Sequence, residues 1–204
     1  MKIYIITVLL ILLSMCSCQT DSSPLPILGR HDISETDTVY HRIPDFKFIN
    51  QDSNYVTNSD LKDNIYISDF FFMSCPSICP IVKKQMLRVY DKYKDNDRVK
   101  LVSHTIDPKR DTPEKLKKYA QKLNIDDSVW MFLTGEKGEI LDIADDYFVA
   151  AFEDPDAPGG FDHSGKMILT DTKRHIRAFA EGTDPEDVDQ FLIDIDKLLV
   201  EYAQ

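Results

Sequence analysis

Cysteine is scarce in this chain: there are four in 204 residues, and two of them fall within the first 18. Thiol chemistry beyond that leader rests on Cys75 and Cys79 alone. Positive charge is also short, with 24 Lys and Arg against 35 Asp and Glu and a formal net charge of −11. That balance argues against nucleic acid as a partner, because phosphate binding needs clustered Lys and Arg. It stays compatible with a basic or metal-bearing partner, or with a plain solvated acidic surface. No internal repeat occurs, which leaves solenoid and propeller architectures without support. No apolar run reaches the roughly 20 residues that a membrane-spanning helix needs. What is present is 43% hydrophobic and 29% charged residues, the balance of a globular domain and not of a disordered chain. The length allows one domain with a full core.

The longest apolar run lies at the start. Lys2 precedes Ile3 to Leu13, interrupted only by Thr7. This reads as a secretion signal over residues 1–17. The segment Leu13-Ser14-Met15-Cys16-Ser17-Cys18 is similar to the end of a bacterial lipoprotein signal, where a cysteine after a small residue is lipidated and becomes the new N-terminus. Ser17 before Cys18 suits that rule better than Met15 before Cys16, so Cys18 is the expected lipid attachment site. Ordinary cleavage or an uncleaved anchor are the alternatives. The expected location is the cell envelope, membrane-anchored, with the domain on the extracytoplasmic (periplasmic) side. Residues 18–40, rich in Ser, Thr, Pro and Asp, read as a flexible tether. The folded domain is expected over 41–204.

Within that domain, Phe46 to Val56 reads as a hairpin around the polar turn Asn50-Gln51-Asp52-Ser53-Asn54. Ile65 to Phe72 is an apolar run of strand length. A helical pattern follows to about Lys94, carried by Val82, Met86, Val89, Tyr90 and Tyr93. Strands are expected over Val99 to Thr105 and Val129 to Leu133. Helices are expected from Pro113, with Thr112 as N-cap, to about Leu123, and from Glu139 to Phe148. Residues 154–160 carry two prolines and two glycines and read as a loop. Lys166 to Asp171 and His175 to Ala180 form a second hairpin. Asp184-Pro185-Glu186 opens a closing helix with an apolar stripe from Val188 to Tyr202. Hairpin, then β-α-β-α-β-α, then hairpin and helix, is an α/β plan. It predicts a thioredoxin-like fold, with a mixed central sheet, helices on both faces and an N-terminal β-hairpin.

Cys75 and Cys79 stand where the first central strand hands over to a helix, each followed by proline. Residues four apart share a helix face, and at helical rise their Cα atoms lie about 6 Å apart. That separation suits a disulfide or one shared metal ion. A helix N-terminus favours a thiolate at Cys75. Pro80 requires the helix proper to begin close to it. A structural disulfide or two buried thiols is the plainer alternative.

A metal on two thiolates usually takes a third ligand. Of the five histidines, His31 and His41 lie in or beside the expected tether, and His175 falls on an expected exposed strand face. His104 stands near the end of the second strand, where it is either structural or close to the site. His163, in Gly160-Phe161-Asp162-His163-Ser164, follows a flexible loop that lets its ring approach the cysteines or swing away.

Three stretches, Phe71-Phe72-Met73-Ser74-Cys75-Pro76-Ser77-Ile78-Cys79-Pro80, Ile106-Asp107-Pro108-Lys109-Arg110-Asp111-Thr112-Pro113 and Asp162-His163-Ser164, occur in the order seen in one family. Over roughly residues 41–200 the chain resembles the Sco/SenC family of copper-handling, thioredoxin-like proteins. The resemblance implies that Cys75, Cys79 and His163 bind one copper ion, Cu(I) or Cu(II). It implies a role in loading the binuclear copper site of cytochrome c oxidase, or in keeping the cysteines of that site reduced. The implied partner is the copper-bearing subunit of the oxidase, with other copper chaperones or thiol reductases beside it. Asp107 matches an aspartate loop of the family. It orients the site or contacts a partner, or it only shapes a turn. Two functions stand at this point: a copper-binding assembly factor without turnover, and an envelope thiol–disulfide oxidoreductase in which Cys75 and Cys79 are the redox pair.

Overall fold

The computed structural model describes residues 23–34 and 36–203. The expected signal and Cys18 lie outside the described residues. Two short strands, β1 (Asp32–Ile33) and β2 (Thr38–Val39), come first. The hairpin β3 (Lys47–Asn50) and β4 (Tyr55–Thr57) follows, and a 3-10 turn, Asn58–Leu61, leads to β5 (Ile65–Phe71). Then come α1 (Cys79–Tyr93), β6 (Val99–Thr105), α2 (Pro113–Leu123), β7 (Trp130–Thr134) and α3 (Lys137–Asp146). The chain ends with β8 (Ala151–Glu153), β9 (Phe161–His163), β10 (Lys166–Thr170), β11 (Ile176–Glu181) and α4 (Pro185–Glu201).

The local causes are legible. All seven residues of β5 are buried, as a strand covered on both faces requires. Helix α1 carries Pro80 in its first turn, where the missing N–H costs nothing. Helix α2 starts with Pro113 after an extended Thr112 and stops at Asn124, whose φ of 53° is the left-handed conformation that ends many helices. Thr112 stands at the N-cap position, but its side chain makes no capping bond. At α4, the Asp184 carboxylate accepts from the Glu186 N–H at 2.9 Å. That helix buries Val188, Phe191, Ile195 and Leu198 along one stripe. Each such burial contributes about 1.5–3 kcal/mol.

Seven strands form one sheet in the order β11-β10-β5-β6-β7-β3-β4. Strands β5, β6 and β7 are parallel, and the outer pairs are antiparallel. Parallel neighbours need crossovers, and α1 and α2 supply them. Rings of Phe71 and Phe132 meet Tyr119 of α2 on one face. On the other face Phe70 meets Tyr147, at the end of α3. This is the expected thioredoxin-like arrangement, hairpin included. Among the described residues no helix is long and apolar enough to cross a membrane.

Three differences from expectation bear on the site. Residues 154–160 are a loop, but it is the tip of a hairpin, because β8 and β9 pair with Ala151 opposite His163. Strands of three residues give too little alternation to detect in sequence. The expected tether is held against the domain from Leu25 onward. Leu25 donates its N–H to Glu201 at 2.6 Å, Leu28 donates to the Ile176 carbonyl at 2.8 Å, and Arg177 donates to the Pro26 carbonyl at 3.1 Å. Two apolar anchors among polar residues suffice when a buried guanidinium takes up the backbone carbonyls between them. His31, His41 and His175 are correspondingly packed, not free. His31 accepts from the His41 N–H at 3.3 Å, and the His41 ring contacts the Asp146 carbonyl at 2.8 Å. His175 precedes β11 and lies beside the ring of Tyr40.

Candidate metal centre

Strand β5 ends at Phe71, and the chain turns through Met73 to Ile78 before α1 begins at Cys79. Cys75 therefore does not share a helix face with Cys79, as spacing alone suggests. It stands in the turn before the helix, where its N–H donates to the Phe72 carbonyl at 3.2 Å. The turn brings the sulfurs together without a helical frame, and Cys79 is the first helical residue. Both are free thiols, and each is only 7% exposed.

His163 arrives from the far side of the sequence, at the end of β9. Its Nε2 lies 3.3 Å from Cys79 Sγ. Its Nδ1 lies 3.1 Å from the Ser164 carbonyl, which can only accept, so Nδ1 carries a proton and Nε2 is the nitrogen that faces the cysteines. The edge of Phe72 holds the imidazole from the side, with ring centroids 5.5 Å apart. Ligand atoms of Cys75, Cys79 and His163 all lie within 4.8 Å of one another, and no other such group of His, Cys, Asp and Glu occurs among the described residues. Metal–sulfur bonds of about 2.3 Å and metal–nitrogen bonds of about 2.0 Å place two ligands of one first-row ion at most about 4.6 Å apart. The three side chains fit one ion with little movement. Two soft thiolates and an imidazole form a donor set suited to copper, Cu(I) in particular.

The two thiols differ electrostatically. Burial raises the Cys75 pKa, but donors outweigh it: the Cys79 backbone N–H, the His163 ring, and the hydroxyl and N–H of Ser77 bring it down to about 6. The N–H at the start of α1 is thus the source of the thiolate preference. For Cys79, burial dominates and pushes the thiol well above its ordinary value, with the neighbouring Cys75 and Asp69 adding to the rise. The expected consequence is staged alkylation. Modification of Cys75 by iodoacetamide should rise with pH, half-maximal near 6, while Cys79 stays unreactive at pH 7. Trapping at a series of pH values followed by peptide mass analysis checks this. Equal labelling of both sulfurs at pH 7 contradicts it.

Asp107 is no ligand. It is 4% exposed, and its carboxylate holds the Arg110 side chain. Arg110 in turn donates to the Gly159 carbonyl at 2.8 Å, at the tip of the β8–β9 hairpin. Gly159 has φ +90°, and a Cβ there would stand 2.6 Å from the Phe72 ring. Only glycine lets the hairpin tip close over the cysteine turn at that point. Asp107 thus acts through Arg110 on the hairpin that carries His163. Asp111 forms a second brace, one that residue spacing alone does not reveal. The buried Asp111 accepts from the Met73 N–H at 3.0 Å and from the Thr105 hydroxyl at 2.6 Å, tying the cysteine turn to β6. Both residues lie in the stretch 106–113. A carboxylate just beyond a buried strand was the available signal, but its partner could not be read.

His104 is not near the ligands. It is fully buried on the opposite face of the sheet, stacked on Phe70 at 4.9 Å with rings of Phe46 and Phe48 edge-on. Neither ring nitrogen has a hydrogen-bond partner among the described residues, and burial lowers its pKa to about 3.

The SCO1/SenC family model matches residues 34–199. A SCO1 protein homolog of Bacillus subtilis (strain 168) is 28% identical over 188 residues, 91% of each chain. Among solved structures, BsSco is 28% identical with a TM-score of 0.67, covering 78% of this chain and 93% of that one. It is described as having a disulfide switch and as a member of the Sco family of cytochrome c oxidase assembly proteins. Arabidopsis thaliana ScoI, solved with copper bound, is 27% identical with a TM-score of 0.63, covering 76% of this chain and 98% of that one.

Proposed function

The chain belongs to the SCO1/SenC family, and from that premise we propose that it is a copper-binding assembly factor for cytochrome c oxidase. Copper is its cargo. Cys75, Cys79 and His163 take up one ion, and the protein delivers it to the binuclear copper site of the oxidase or keeps the cysteines of that site reduced. The observation that carries the reading is the convergence of those three side chains within 4.8 Å, in a chain whose relative ScoI holds copper. BsSco's membership of an oxidase assembly family supports the choice of recipient. Binding needs both sulfurs deprotonated, so affinity falls with falling pH. Handover is favoured by a site of three ligands, which leaves one side of the ion open to a recipient thiol. On this reading Cys18 carries the lipid, and the domain works at the extracytoplasmic face of a membrane.

The test is Cu(I) titration of the fully reduced protein against a competing chelator, wild type beside His163→Ala. One tight copper per chain is expected in the wild type. Loss of a partner in the outer shell of a metal site costs about 10–100-fold, so losing the ligand itself should exceed about a hundredfold. Unchanged affinity in the variant would remove His163 from the site.

The unequal thiols favour a second reading, a thiol–disulfide oxidoreductase. Cys75, with its pKa near 6, is close to the optimum for an attacking thiolate at neutral pH. Wild-type protein that takes up no copper tightly, yet reduces a disulfide in a copper-free partner, would establish this reading over the first.

A further inference from the structure

Helix α1 buries a charge where its pattern calls for an apolar residue. Lys83 lies one turn beyond Cys79, on the same helix face, and is 5% exposed. Its ammonium stands over four aromatic rings: Phe71 at 4.5 Å, Phe132 at 4.7 Å, Trp130 at 4.8 Å and Tyr119 at 5.4 Å. It makes no hydrogen bond among the described residues. Asp69 on β5, 1% exposed, is the carboxylate whose charge acts on it. One Asp69 oxygen accepts from the Ser103 hydroxyl, which itself accepts from Trp130 Nε1 at 2.9 Å; the other oxygen has no hydrogen-bond partner among the described residues.

An unpaired ammonium and a half-satisfied carboxylate are costly inside a protein. A leucine or methionine at position 83 would fill the same aromatic box without that cost. The aromatic faces recover part of it, since each ring presents negative potential to a cation. Burial pulls the Lys83 pKa down, while Asp69 and Cys79 act to raise it. The ionisable groups around the ammonium are therefore Asp69 on β5, Cys79 on its own helix and Tyr119 on α2. Lys83 follows Cys79 by one turn of α1, and Asp69 and Lys83 both interact electrostatically with Cys79.

We propose that Lys83 is the buried counter-charge of the cysteine site, a positioning residue held in an aromatic cage and balanced by Asp69. Its charge offsets the negative charge of the sulfur pair when that pair is reduced or metal-loaded, and so favours those states over the disulfide. Two thiolates, a neutral imidazole and a monovalent ion sum to one negative charge in a buried site, and one positive charge a helical turn from Cys79 is the complement. Coulomb interactions there are several times stronger than in water. Asp69 works with the opposite sign, so the pair sets a balance that either member can tip. The metal-loaded part of this inference rests on the copper reading. The redox part does not.

The test is the dithiol–disulfide equilibrium of the metal-free protein at pH 7, set by an oxidised and reduced glutathione mixture without oxygen and read by thiol trapping and mass analysis. Reducing the Cys75–Cys79 disulfide takes two electrons from two glutathione thiols, which leave as glutathione disulfide; of their two protons, one stays on Cys79 and one passes to solvent at pH 7, leaving Cys75 as the thiolate. Lys83→Met, which keeps length and packing, should shift the equilibrium about tenfold toward the disulfide, equal to about 30 mV for this two-electron couple. Asp69→Asn should shift it the other way, and the double variant should return close to wild type. A merely structural role would move both single variants in one direction. Lys83→Met within twofold of wild type, or both singles shifting alike, would overturn the proposal. Cu(I) competition on the same variants separates the two readings. A wild type without tight copper defeats the copper reading alone, whereas tight copper with an unmoved potential defeats the role of Lys83.

Discussion

Asp111→Ala should lower the melting temperature by about 4–24 °C and weaken Cu(I) binding by about 10–100-fold, while Asp111→Asn should keep most of both. The carboxylate is 2% exposed, and a single oxygen accepts both of its bonds, from the Met73 N–H and the Thr105 hydroxyl. Alanine leaves those two donors without an acceptor. Each buried donor left unpaired costs about 1–3 kcal/mol, and in a domain of this size each kcal/mol moves the melting temperature by about 2–4 °C. Asparagine offers a carbonyl oxygen with two lone pairs in the same place, so it can accept from both. The asparagine variant also loses a buried charge whose pKa burial already pushes up. The effect on copper follows because Met73 is two residues from Cys75. Freeing its N–H loosens the turn that positions the sulfur, and removal of such support typically costs 10–100-fold in metal affinity. Thermal melts by circular dichroism and the chelator competition read the two effects separately. If Asp111→Ala melts and binds like wild type, the brace carries nothing. If Asp111→Asn is as damaged as Asp111→Ala, the negative charge matters, and not the hydrogen bonds.

The second large effect concerns acid. His104 is neutral in the folded protein, with its pKa lowered to about 3 from an ordinary 6.5 by burial. Below pH 6.5 the unfolded chain takes up a proton there that the folded chain refuses. The unfolded state then binds more protons, so stability falls as pH falls. The contribution is fully present above 6.5 and lost between about 6.5 and about 3. Its slope is about 1.4 kcal/mol per pH unit, or about 2–3 kcal/mol between pH 6.5 and 4.5. His104→Phe should remove that slope. Phenylalanine keeps the stack on Phe70 and has no ring nitrogen to leave unpaired, so at pH 7 the variant should be at least as stable as wild type. Urea unfolding at pH 7, 6 and 5 gives the comparison. Parallel decline of wild type and variant would mean that His104 does not govern acid stability.

These two residues show where sequence reading stops. His104 and Asp111 both belong to stretches whose secondary structure was legible. Val99–Thr105 is a strand because Val99, Leu101, Val102 and Thr105 set an apolar, β-branched pattern over the right length, and α2 starts at Pro113 because proline suits a first turn. Which way each side chain points was not legible. One residue of register puts His104 among the aromatics of one face and Thr105 beside Asp111 on the other. The Asp69–Lys83 pair gave a local signal, a charge within an apolar strand and another on an apolar helix face, but each has meaning only beside the other. The β8–β9 hairpin left almost no trace, because its strands are three residues long.

Taken alone, the sequence determined the long strands and helices and most of their ends, the β-α-β order that forces a parallel centre, and the scarcity that leaves two cysteines to carry the thiol chemistry. These follow from periodicity, proline and turn chemistry, which act over a few residues. The tertiary structure decided which atoms meet. Cys79 and His163 are 84 residues apart in the chain, yet Sγ and Nε2 lie 3.3 Å from each other, and Met73 and Asp111 are 38 apart and share one hydrogen bond. It also decided that Leu25 and Leu28 are seated on the domain, and that Lys83 is buried among four aromatic rings. The physical reason is common to all of these. Contacts at such separation are set by the packing of the whole sheet and its helices. No residue near either partner in the chain carries that information by itself.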